Sequence, residues 1–238
     1  MRYFIRLSWQ KNHNFIPLKE TIAETIDGIL LEIAGEKLSI HLDKYLYFVD
    51  YNVLVISDLH FGKMDHFRKN GIAVPPGLDQ NDNEKLATLL NIVRPDVCVF
   101  LGDLFHSDYN DAWNLFCSTL ASFNHIRFVL TVGNHDILRK DCYSIASIEL
   151  VDKLVVGSIV LSHESELVGP GQYNIHGHIH PGVVLRGKGR QHLKLPCFYF
   201  GKEKGVMPAF GKFTGLATMK KLEDDRIFAI TAKALIEV

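Results

Sequence analysis

Clusters of aspartate, asparagine and histidine follow five successive apolar stretches of the chain, and seven of the twelve histidines lie in them. Aspartate, asparagine and glycine are ordinary turn residues, so one such cluster would carry little weight, but histidine is not favoured in turns. Its repetition at five places indicates that the clusters form one site. They are Ser57-Asp58-Leu59-His60, Gly102-Asp103-Leu104-Phe105-His106, Gly133-Asn134-His135-Asp136, Ser162-His163-Glu164 and His176-Gly177-His178-Ile179-His180.

The side chains of these clusters are of the types that bind divalent metal ions in proteins. Oxygen and imidazole donors without cysteine thiolates suit Mn²⁺, Fe or Zn²⁺ rather than a structural zinc site built on cysteine. One divalent ion takes roughly four to six ligands, so the clusters hold enough donors for two ions. A carboxylate between two cations is the usual bridge of two-metal hydrolases. The clusters therefore predict a two-metal hydrolytic centre.

The stretches between the clusters must bring them together. Apolar runs at Val53–Ile56, Val97–Leu101 and Ile126–Val132 alternate with helical patterns at 79–93 and 112–123. This alternation predicts parallel β-α-β units. In an open sheet of this kind, ligands bind beyond the carboxyl ends of the strands, which is where the clusters begin.

The regions before and after these units have different sequence patterns. A hairpin is predicted around Gly35, because Ile29–Ile33 and Leu38–Ile40 are apolar runs that flank it. The last third of the chain has short β-like runs separated by glycines, which predicts a second sheet. Residues 1–25 are weakly patterned and are interpreted as an N-terminal extension, an extra strand or a flexible arm, ahead of a single domain at 26–238.

The composition is that of an ordinary globular protein, with 238 residues, 47% hydrophobic, and a formal net charge of −1. It excludes collagen-like, disordered and coiled-coil chains, and the net charge at first argues against a nucleic-acid partner. The charge is unevenly distributed, however, because residues 181–221 carry nine basic side chains and one acidic one, Glu203. This segment follows the last histidine cluster and could track a polyanion, with Arg186, Lys188 and Arg190 as contacts, on the metal-site face. The alternative is that these charges only decorate exposed strand faces.

The cysteines and the apolar runs bear on the compartment. The four cysteines include no C-x-x-C pair, and Cys98 lies inside an apolar run, which favours a reduced and buried thiol. No stretch approaches the roughly 18 apolar residues that span a bilayer. The N-terminus is too charged for a signal peptide. These features predict a soluble, cytoplasmic protein.

The five clusters together resemble the motifs of the calcineurin-like metallophosphoesterase superfamily. Its pattern is D-x-H, G-D, G-N-H-[DE], a lone H and G-H-x-H, and the chain contains all five in this order. The resemblance implies an α/β fold, a four-layer αββα sandwich of two sheets flanked by helices. It implies two divalent ions, with Mn²⁺ expected and Fe or Zn²⁺ as alternatives. The implied ligands are Asp58, His60 and His180 for one ion, Asn134, His163 and His178 for the other, and Asp103 for both.

Longer strings resemble the bacterial ligase-associated DNA damage response endonuclease family. This resemblance implies a DNA endonuclease acting in repair, with a functional link to a DNA ligase and a helicase. The alternatives are a phosphodiesterase or phosphatase acting on a small nucleotide or another small phosphoester, and a non-catalytic scaffold, which the complete ligand set disfavours. The strings are Asp58-Leu59-His60-Phe61-Gly62-Lys63, Gly71-Ile72-Ala73-Val74-Pro75-Pro76-Gly77, Gly102-Asp103-Leu104-Phe105-His106, Leu195-Pro196-Cys197-Phe198 and Pro208-Ala209-Phe210-Gly211-Lys212-Phe213-Thr214-Gly215.

The chemistry implied by these resemblances gives further residues their roles. A hydroxide generated between the two ions would attack phosphorus. His135 is the candidate for protonating or stabilising the leaving group, and Asp136 for orienting its imidazole or capping a helix. Lys63, Arg68 and His106 are candidates for contacting the substrate.

Three residues near these motifs have competing interpretations. Phe210 and Phe213 could stack on a base, although core packing is the stronger interpretation. His176 alternates away from the ligands that follow it and is interpreted as structural.

Overall fold

The computed structural model describes residues 4–6, 28–63, 78–212 and 214–238. Side chains are described throughout these ranges except at 4–6 and 78–80. Arg68, Phe213 and most of the predicted extension lie outside the described residues.

Among the described residues, seven strands form one mixed sheet. They are Gly28–Ile33 (β2), Glu36–His41 (β3), Tyr45–Phe48 (β4), Val53–Ser57 (β5), Val97–Leu101 (β6), Arg127–Thr131 (β7) and Ile148–Val151 (β8). The strands are adjacent in sequence order. β2 to β5 form an antiparallel meander, which begins with the predicted hairpin, and β5 to β8 are parallel.

The helices within the described ranges pack on one face of this sheet. They are Leu78–Val93 (α1), Asp111–Ala121 (α2) and Lys140–Ile145 (α3). α1 connects β5 to β6 and α2 connects β6 to β7, so the predicted parallel β-α-β units are present.

Local sequence explains most of these elements. Every residue of β5 and β6 is buried, which is why these strands are apolar on both faces. α1 buries Leu86, Leu90 and Val93, a helical face with spacings of four and three residues. The side chain of Asn110 caps α2 by accepting from the first backbone N–H groups of the helix. The sequence did not predict α3, because six residues are too few to show a helical period.

Ten further strands of the described residues form a second mixed sheet. They are Phe4–Arg6 (β1), Lys153–Val156 (β9), Ile159–Ser162 (β10), Tyr173–His176 (β11), Pro181–Arg186 (β12), His192–Phe200 (β13), Lys204–Val206 (β14), Ala217–Thr218 (β15), Arg226–Ile230 (β16) and Leu235–Glu237 (β17). The order is β1-β9-β10-β11-β14-β13-β12-β15, and β16 joins β13 to β17. β1 pairs in parallel with β9, so this part of the predicted extension is an extra strand.

The two sheets pack face to face, which confirms the predicted α/β sandwich. Val55 and Val99 meet Leu161 and Ile175 in the core between the sheets. A second core, containing Phe100, lies between the seven-stranded sheet and the helices. The described helices all lie on that side, and a small apolar cluster covers the outer face of the ten-stranded sheet.

The cysteines and helices bear on two expectations drawn from the sequence. All four cysteines are free thiols, and burial raises the pKa of the Cys98 thiol and takes that of Cys197 to about 12. Within the described part of the chain, no helix has the length and apolar character needed to cross a membrane.

Candidate metal centre

The predicted metal ligands gather at one edge of the sandwich. β5, β6 and β7 run parallel, so the clusters that follow them leave the seven-stranded sheet at the same edge. β10 and β11 are also parallel and end directly before the clusters of His163 and His178. The backbone N–H of His178 donates to Oδ2 of Asp58 at 3.0 Å, so clusters from the two sheets meet.

The backbone at the ligands is held in an unusual conformation. Left-handed φ angles between 48° and 67° occur at Asp58, His60, Asp103, His178 and His180. Such angles are uncommon outside glycine and cost on the order of 1–3 kcal/mol each. They persist only where surrounding structure enforces them, and they concentrate at functional sites.

Asp58, His60 and His180 form the first group of donor atoms. Nε2 of His180 lies 3.3 Å from Oδ1 of Asp58 and 3.3 Å from Nε2 of His60. The three donor atoms lie within 4.8 Å of one another, and Asp58 and His60 are buried. One carboxylate oxygen and two imidazole nitrogens therefore converge.

Asp103, His163 and His178 form the second group, with Asn134 beside it. Nε2 of His163 lies 3.4 Å from Oδ1 of Asp103, 3.1 Å from Nδ1 of His178 and 3.1 Å from Oδ1 of Asn134. Nδ1 of His163 lies 3.0 Å from the carbonyl oxygen of Leu101. The proton therefore belongs on Nδ1, which leaves the lone pair of Nε2 for a metal ion.

Asp103 lies between the two groups. Its Oδ1 is 3.4 Å from His163 of the second group, and its Oδ2 is 3.8 Å from Nε2 of His60 in the first. The backbone N–H of His135 donates to Oδ1 at 2.9 Å and helps to fix the carboxylate. This is the position that a bridging carboxylate requires.

Two motif glycines leave the space that the ligands occupy. Gly102 has a φ of +68°, and a Cβ there would overlap the ring of His163. A Cβ at Gly177 would overlap Ser57 Oγ and Asp58 Oδ2. Because the ligands fill the volume of a side chain, only glycine fits at these positions.

Burial keeps His60 neutral. Loss of hydration, together with the charge of Lys63 and the imidazoles around it, lowers the pKa of His60 to about 2. Neutral imidazole is the form that binds metal ions. His60 can therefore bind a cation at ordinary pH without first losing a proton.

His135 and His106 adjoin both donor groups without belonging to either. The ring of His135 stacks on that of His106 with centroids 3.9 Å apart, and its Nε2 lies 4.0 Å from Oδ2 of Asp103. Nδ1 of His106 lies 3.2 Å from Nδ1 of His60. The side chain of His135 is 41% exposed. The structure thus brings both histidines to the centre, with His135 open to solvent.

Asp136 does not orient the imidazole of His135, which corrects the hypothesis drawn from the sequence. Its Oδ2 accepts from the backbone N–H of Gly133 at 2.8 Å, and its Oδ1 accepts from Leu104 at 2.8 Å and from Phe105 at 3.3 Å. Burial raises the pKa of Asp136 to about 6 although these hydrogen bonds oppose the shift. It does not cap α3 either, since that helix begins later in the chain. The carboxylate fastens the loop after β7 to the loop after β6.

Lys63 lies close to the donor groups. Burial lowers the pKa of its ammonium, while the carboxylates of Asp103 and Asp58 oppose that shift. The influence of both carboxylates puts the ammonium within electrostatic range of both groups. Arg68, the other basic candidate in this part of the sequence, lies outside the described residues.

Arg186, Lys188 and Arg190 occupy the exposed end of the β12–β13 hairpin, which begins directly after His180.

The prediction that the basic segment 181–221 lies entirely on the metal-site face is wrong. Lys202 lies beside Tyr173, at the edge of the ten-stranded sheet opposite the ligands. The segment therefore divides between the two edges.

Two further interpretations from the sequence are settled by burial. Phe210 is 1% exposed and belongs to the core beneath the helices, so packing accounts for it. Phe213 lies outside the described residues. His176 is fully buried, and its Nδ1 lies 2.9 Å from the carbonyl oxygen of Gly177, which agrees with a structural role.

The donor set fits two divalent cations. Nε2 of His60 and Nε2 of His180 face each other at 3.3 Å, and His163 and His178 do so at 3.1 Å. Imidazole nitrogens that converge beside a carboxylate are stabilised by a cation between them. Oxygen and imidazole donors without thiolate match the preferences of Mn²⁺, Fe and Zn²⁺.

Comparison with known families decides the class of the protein. Residues 51–193 match the family model Metallophos, described as calcineurin-like phosphoesterase. The match covers more than half of the chain and includes all five clusters. The chain belongs to the calcineurin-like phosphoesterase family. As a calcineurin-like phosphoesterase it is a metal-dependent enzyme, and the two donor groups are its two candidate metal sites.

Solved structures similar to this phosphoesterase include one with extensive overlap. The crystal structure of Pseudomonas putida nuclease MPE aligns with a TM-score of 0.75 and 25% identity, covering 89% of this chain and 100% of that one. AQ665 from Aquifex aeolicus, a protein of unknown function, has a TM-score of 0.39, 23% identity and coverages of 54% and 78%. Yfce, a phosphoesterase from E. coli, has a TM-score of 0.43, 13% identity and coverages of 78% and 97%. Curated protein sequences gave no match.

Proposed function

We propose that the protein is a nuclease that hydrolyses phosphodiester bonds in DNA. The observation that carries the proposal is the similarity to Pseudomonas putida nuclease MPE, whose whole length aligns with 89% of this chain at a TM-score of 0.75. The complete donor set supports an active enzyme, because a scaffold that had lost catalysis would be expected to lack ligands.

The proposed metal ions are two Mn²⁺ ions. When bound, they would supply an activated water near neutral pH and positive charge toward the phosphoryl oxygens. The residues proposed to hold them are Asp58, His60 and His180 for one ion, Asn134, His163 and His178 for the other, and Asp103 for both.

Three side chains around the ligands are proposed to act on the substrate. His135 reaches solvent beside Asp103 and donates a proton to the leaving oxygen. His106 stacks on His135 and limits the orientations of its ring. The ammonium of Lys63 offsets negative charge on the phosphoryl oxygens.

The β12–β13 hairpin is proposed to hold the polynucleotide beyond the reacting phosphate. Arg186, Lys188 and Arg190 are exposed and form no ion pair with any residue of the described part of the chain. Because β12 follows His180 directly, a strand bound at the metal centre can continue along the hairpin. Contacts of this kind neutralise phosphates without reading sequence.

The test is a substrate comparison with the purified protein and Mn²⁺. Single-stranded DNA, duplex DNA, RNA and the small diester bis(p-nitrophenyl) phosphate are incubated separately, and the products are separated by size. We expect hydrolysis of DNA. Hydrolysis of the small diester with every polynucleotide left intact would instead support a phosphodiesterase of small substrates.

The biological setting is part of the same proposal. A role in DNA repair, with a link to a DNA ligase and a helicase, is suggested by the motif strings of the endonuclease family. The four free thiols support a reducing compartment such as the cytoplasm. Increased sensitivity of a deletion strain to DNA damage would support the role, and wild-type survival would argue against it.

A further inference from the structure

Three lysines from distant parts of the sequence come together on the side of the sandwich next to β4. Lys44 lies in the turn between β3 and β4, Lys85 on α1, and Lys212 in the segment after β14. Nζ of Lys85 lies 3.1 Å from Oδ1 of Asp43, the residue before Lys44, and 4.4 Å from the ring centroid of Phe210, two residues before Lys212. The charges of Lys85 and Lys212 both lower the pKa of Lys44, and the charges of all three lysines oppose the raised pKa of Asp82 of α1. We call Lys44, Lys85 and Lys212 the lysine triad.

The triad adjoins the metal centre through β4 and β5. The first residue of β4, Tyr45, pairs with Ile56, two residues before Asp58. Lys44 therefore stands beside the end of the strand that delivers the first donor group.

Lys212 is tied to the same donor group by the backbone. The N–H of Gly211 donates to the carbonyl oxygen of Asp58 at 3.3 Å, and that of Ala217 donates to His180 at 3.0 Å. The segment that carries Lys212 is thus bonded on both sides of the lysine to ligands of the first group.

Two of the three ammonium groups have no acidic partner in the described structure. Lys85 pairs with Asp43 at 3.1 Å and lies 4.4 Å from the ring centroid of Phe210. Lys44 and Lys212 form no ion pair with a described residue. Asp82 forms no ion pair with them either, and its Oδ1 is buried without a hydrogen-bond partner there.

The charged form of Lys44 is unfavourable in the protein alone. Burial, and then the charge of Lys85, lowers the pKa of Lys44 from 10.5 to about 8. A lysine whose folded pKa is depressed lowers stability while it is charged, and this loss disappears as the pH rises from about 8 to 10.5. A bound anion would compensate for the same loss at neutral pH.

We propose that Lys44 and Lys212, with Lys85 holding the turn and the segment in place, bind a backbone phosphate adjacent to the one being hydrolysed. This rests on the proposed nuclease function and specifies the path of its substrate, which would leave the first donor group toward α1. A small phosphoester has no second phosphate to occupy the triad. The triad would therefore favour polynucleotides over small esters.

The test uses a double variant, Lys44→Gln with Lys212→Gln, and a matched control, Lys37→Gln with Lys202→Gln. The control removes the same charge from exposed lysines at the end of the sandwich opposite the ligands, where Lys37 pairs with Glu32 and Lys202 lies beside Tyr173. Binding of a fluorescent single-stranded oligodeoxynucleotide to the metal-free protein is measured by anisotropy over a range of salt concentrations. Each phosphate contact on a single strand adds roughly 0.7 to the slope of log K against log salt, so the triad variant, which loses one phosphate contact, should lose about 0.7. The control should keep the wild-type slope.

Two further measurements separate charge from structure. Lys44→Arg with Lys212→Arg keeps both charges and should restore most of the slope. In the Mn²⁺-loaded enzyme, the glutamine pair should raise KM for the oligonucleotide more than it lowers kcat. Its preference for oligonucleotide over bis(p-nitrophenyl) phosphate, as a ratio of kcat/KM values, should fall.

The outcomes distinguish the two proposals. Equal slopes for the triad and control variants would overturn the phosphate subsite even if the wild type cleaves DNA. If the wild type leaves DNA intact, the nuclease proposal fails, and the difference in slope still decides whether the triad binds a phosphate. A wild type that shows no salt-dependent binding of the oligonucleotide would overturn the subsite as well.

Discussion

The metal centre and the β12–β13 hairpin adjoin each other at His180, yet they are built in opposite ways. At the centre, Asp58 and Asp103 are at most 2% exposed, and hydrogen bonds from several loops hold the ligands. On the hairpin, Arg186 and Lys188 are exposed. The metal centre holds its side chains in fixed positions, whereas the hairpin exposes positively charged side chains to solvent.

The difference matches the proposed task of each region. Binding metal ions and placing a proton donor, the tasks proposed for the centre, demand positions accurate to a fraction of an ångström, and the fold bears left-handed strain at five candidate ligands there. Holding a phosphate backbone demands only positive charge within reach, and salt screens it. Substitutions at the centre should therefore abolish activity, whereas those on the hairpin should change it by degrees.

The largest effect is expected from Asp103→Asn. An amide cannot place anionic oxygens toward both donor groups, so both metal sites should weaken together. Hydrolysis should fall by more than about 10³-fold, beyond the roughly 10²–10³ that loss of one transition-state donor costs. The rate on a small diester and metal content by mass spectrometry are the measurements, with Asp141→Asn as an exposed control. Substantial activity in Asp103→Asn would contradict the bridging role.

His135→Ala separates proton transfer from metal binding within the centre. Because His135 adjoins Asp103 without joining either donor group, metal content should stay at the wild-type level. Turnover should fall by about 10²–10⁴, the contribution of general acid catalysis. The exposed His125→Ala serves as control. Unchanged turnover would remove His135 from the mechanism.

Asp136→Ala tests whether the loops at the centre depend on one buried carboxylate. Removing it leaves three backbone N–H groups, from Gly133, Leu104 and Phe105, without their acceptor. Each buried donor left unpaired costs roughly 1–3 kcal/mol, so the free energy of unfolding should fall by at least about 2 kcal/mol. Denaturant unfolding of the metal-free protein measures this, and Asp141→Ala provides the exposed comparison. A loss as small as that of the control would show that Asp136 does not fasten the loops.

The sequence predicted the centre far better than its surroundings, for physical reasons. Ligands that directly follow buried parallel strands must emerge at one edge, so strand patterns were enough to bring Asp58 and Asp103 together. The role of Asp136 could not be predicted, because hydrogen bonds to backbone N–H groups leave no trace in residue types. Lys44 and Lys212 are far apart in the chain, and a lone lysine is ordinarily a solvated charge. Only the folded structure shows that Lys85, through its contacts with Asp43 and Phe210, links the segments that carry them.

The smallest effect is expected from the hairpin, in the triple variant Arg186→Gln, Lys188→Gln and Arg190→Gln. If all three side chains contact phosphates of a single strand, the slope of log K against log salt should fall by about 2. KM for an oligonucleotide should rise several-fold at low salt and converge with the wild type as salt increases, because screening already removes these contacts there. The control is again Lys37→Gln with Lys202→Gln. A loss of kcat as severe as that of His135→Ala would mean that the hairpin shapes the centre itself, and the distinction between the two regions would fail.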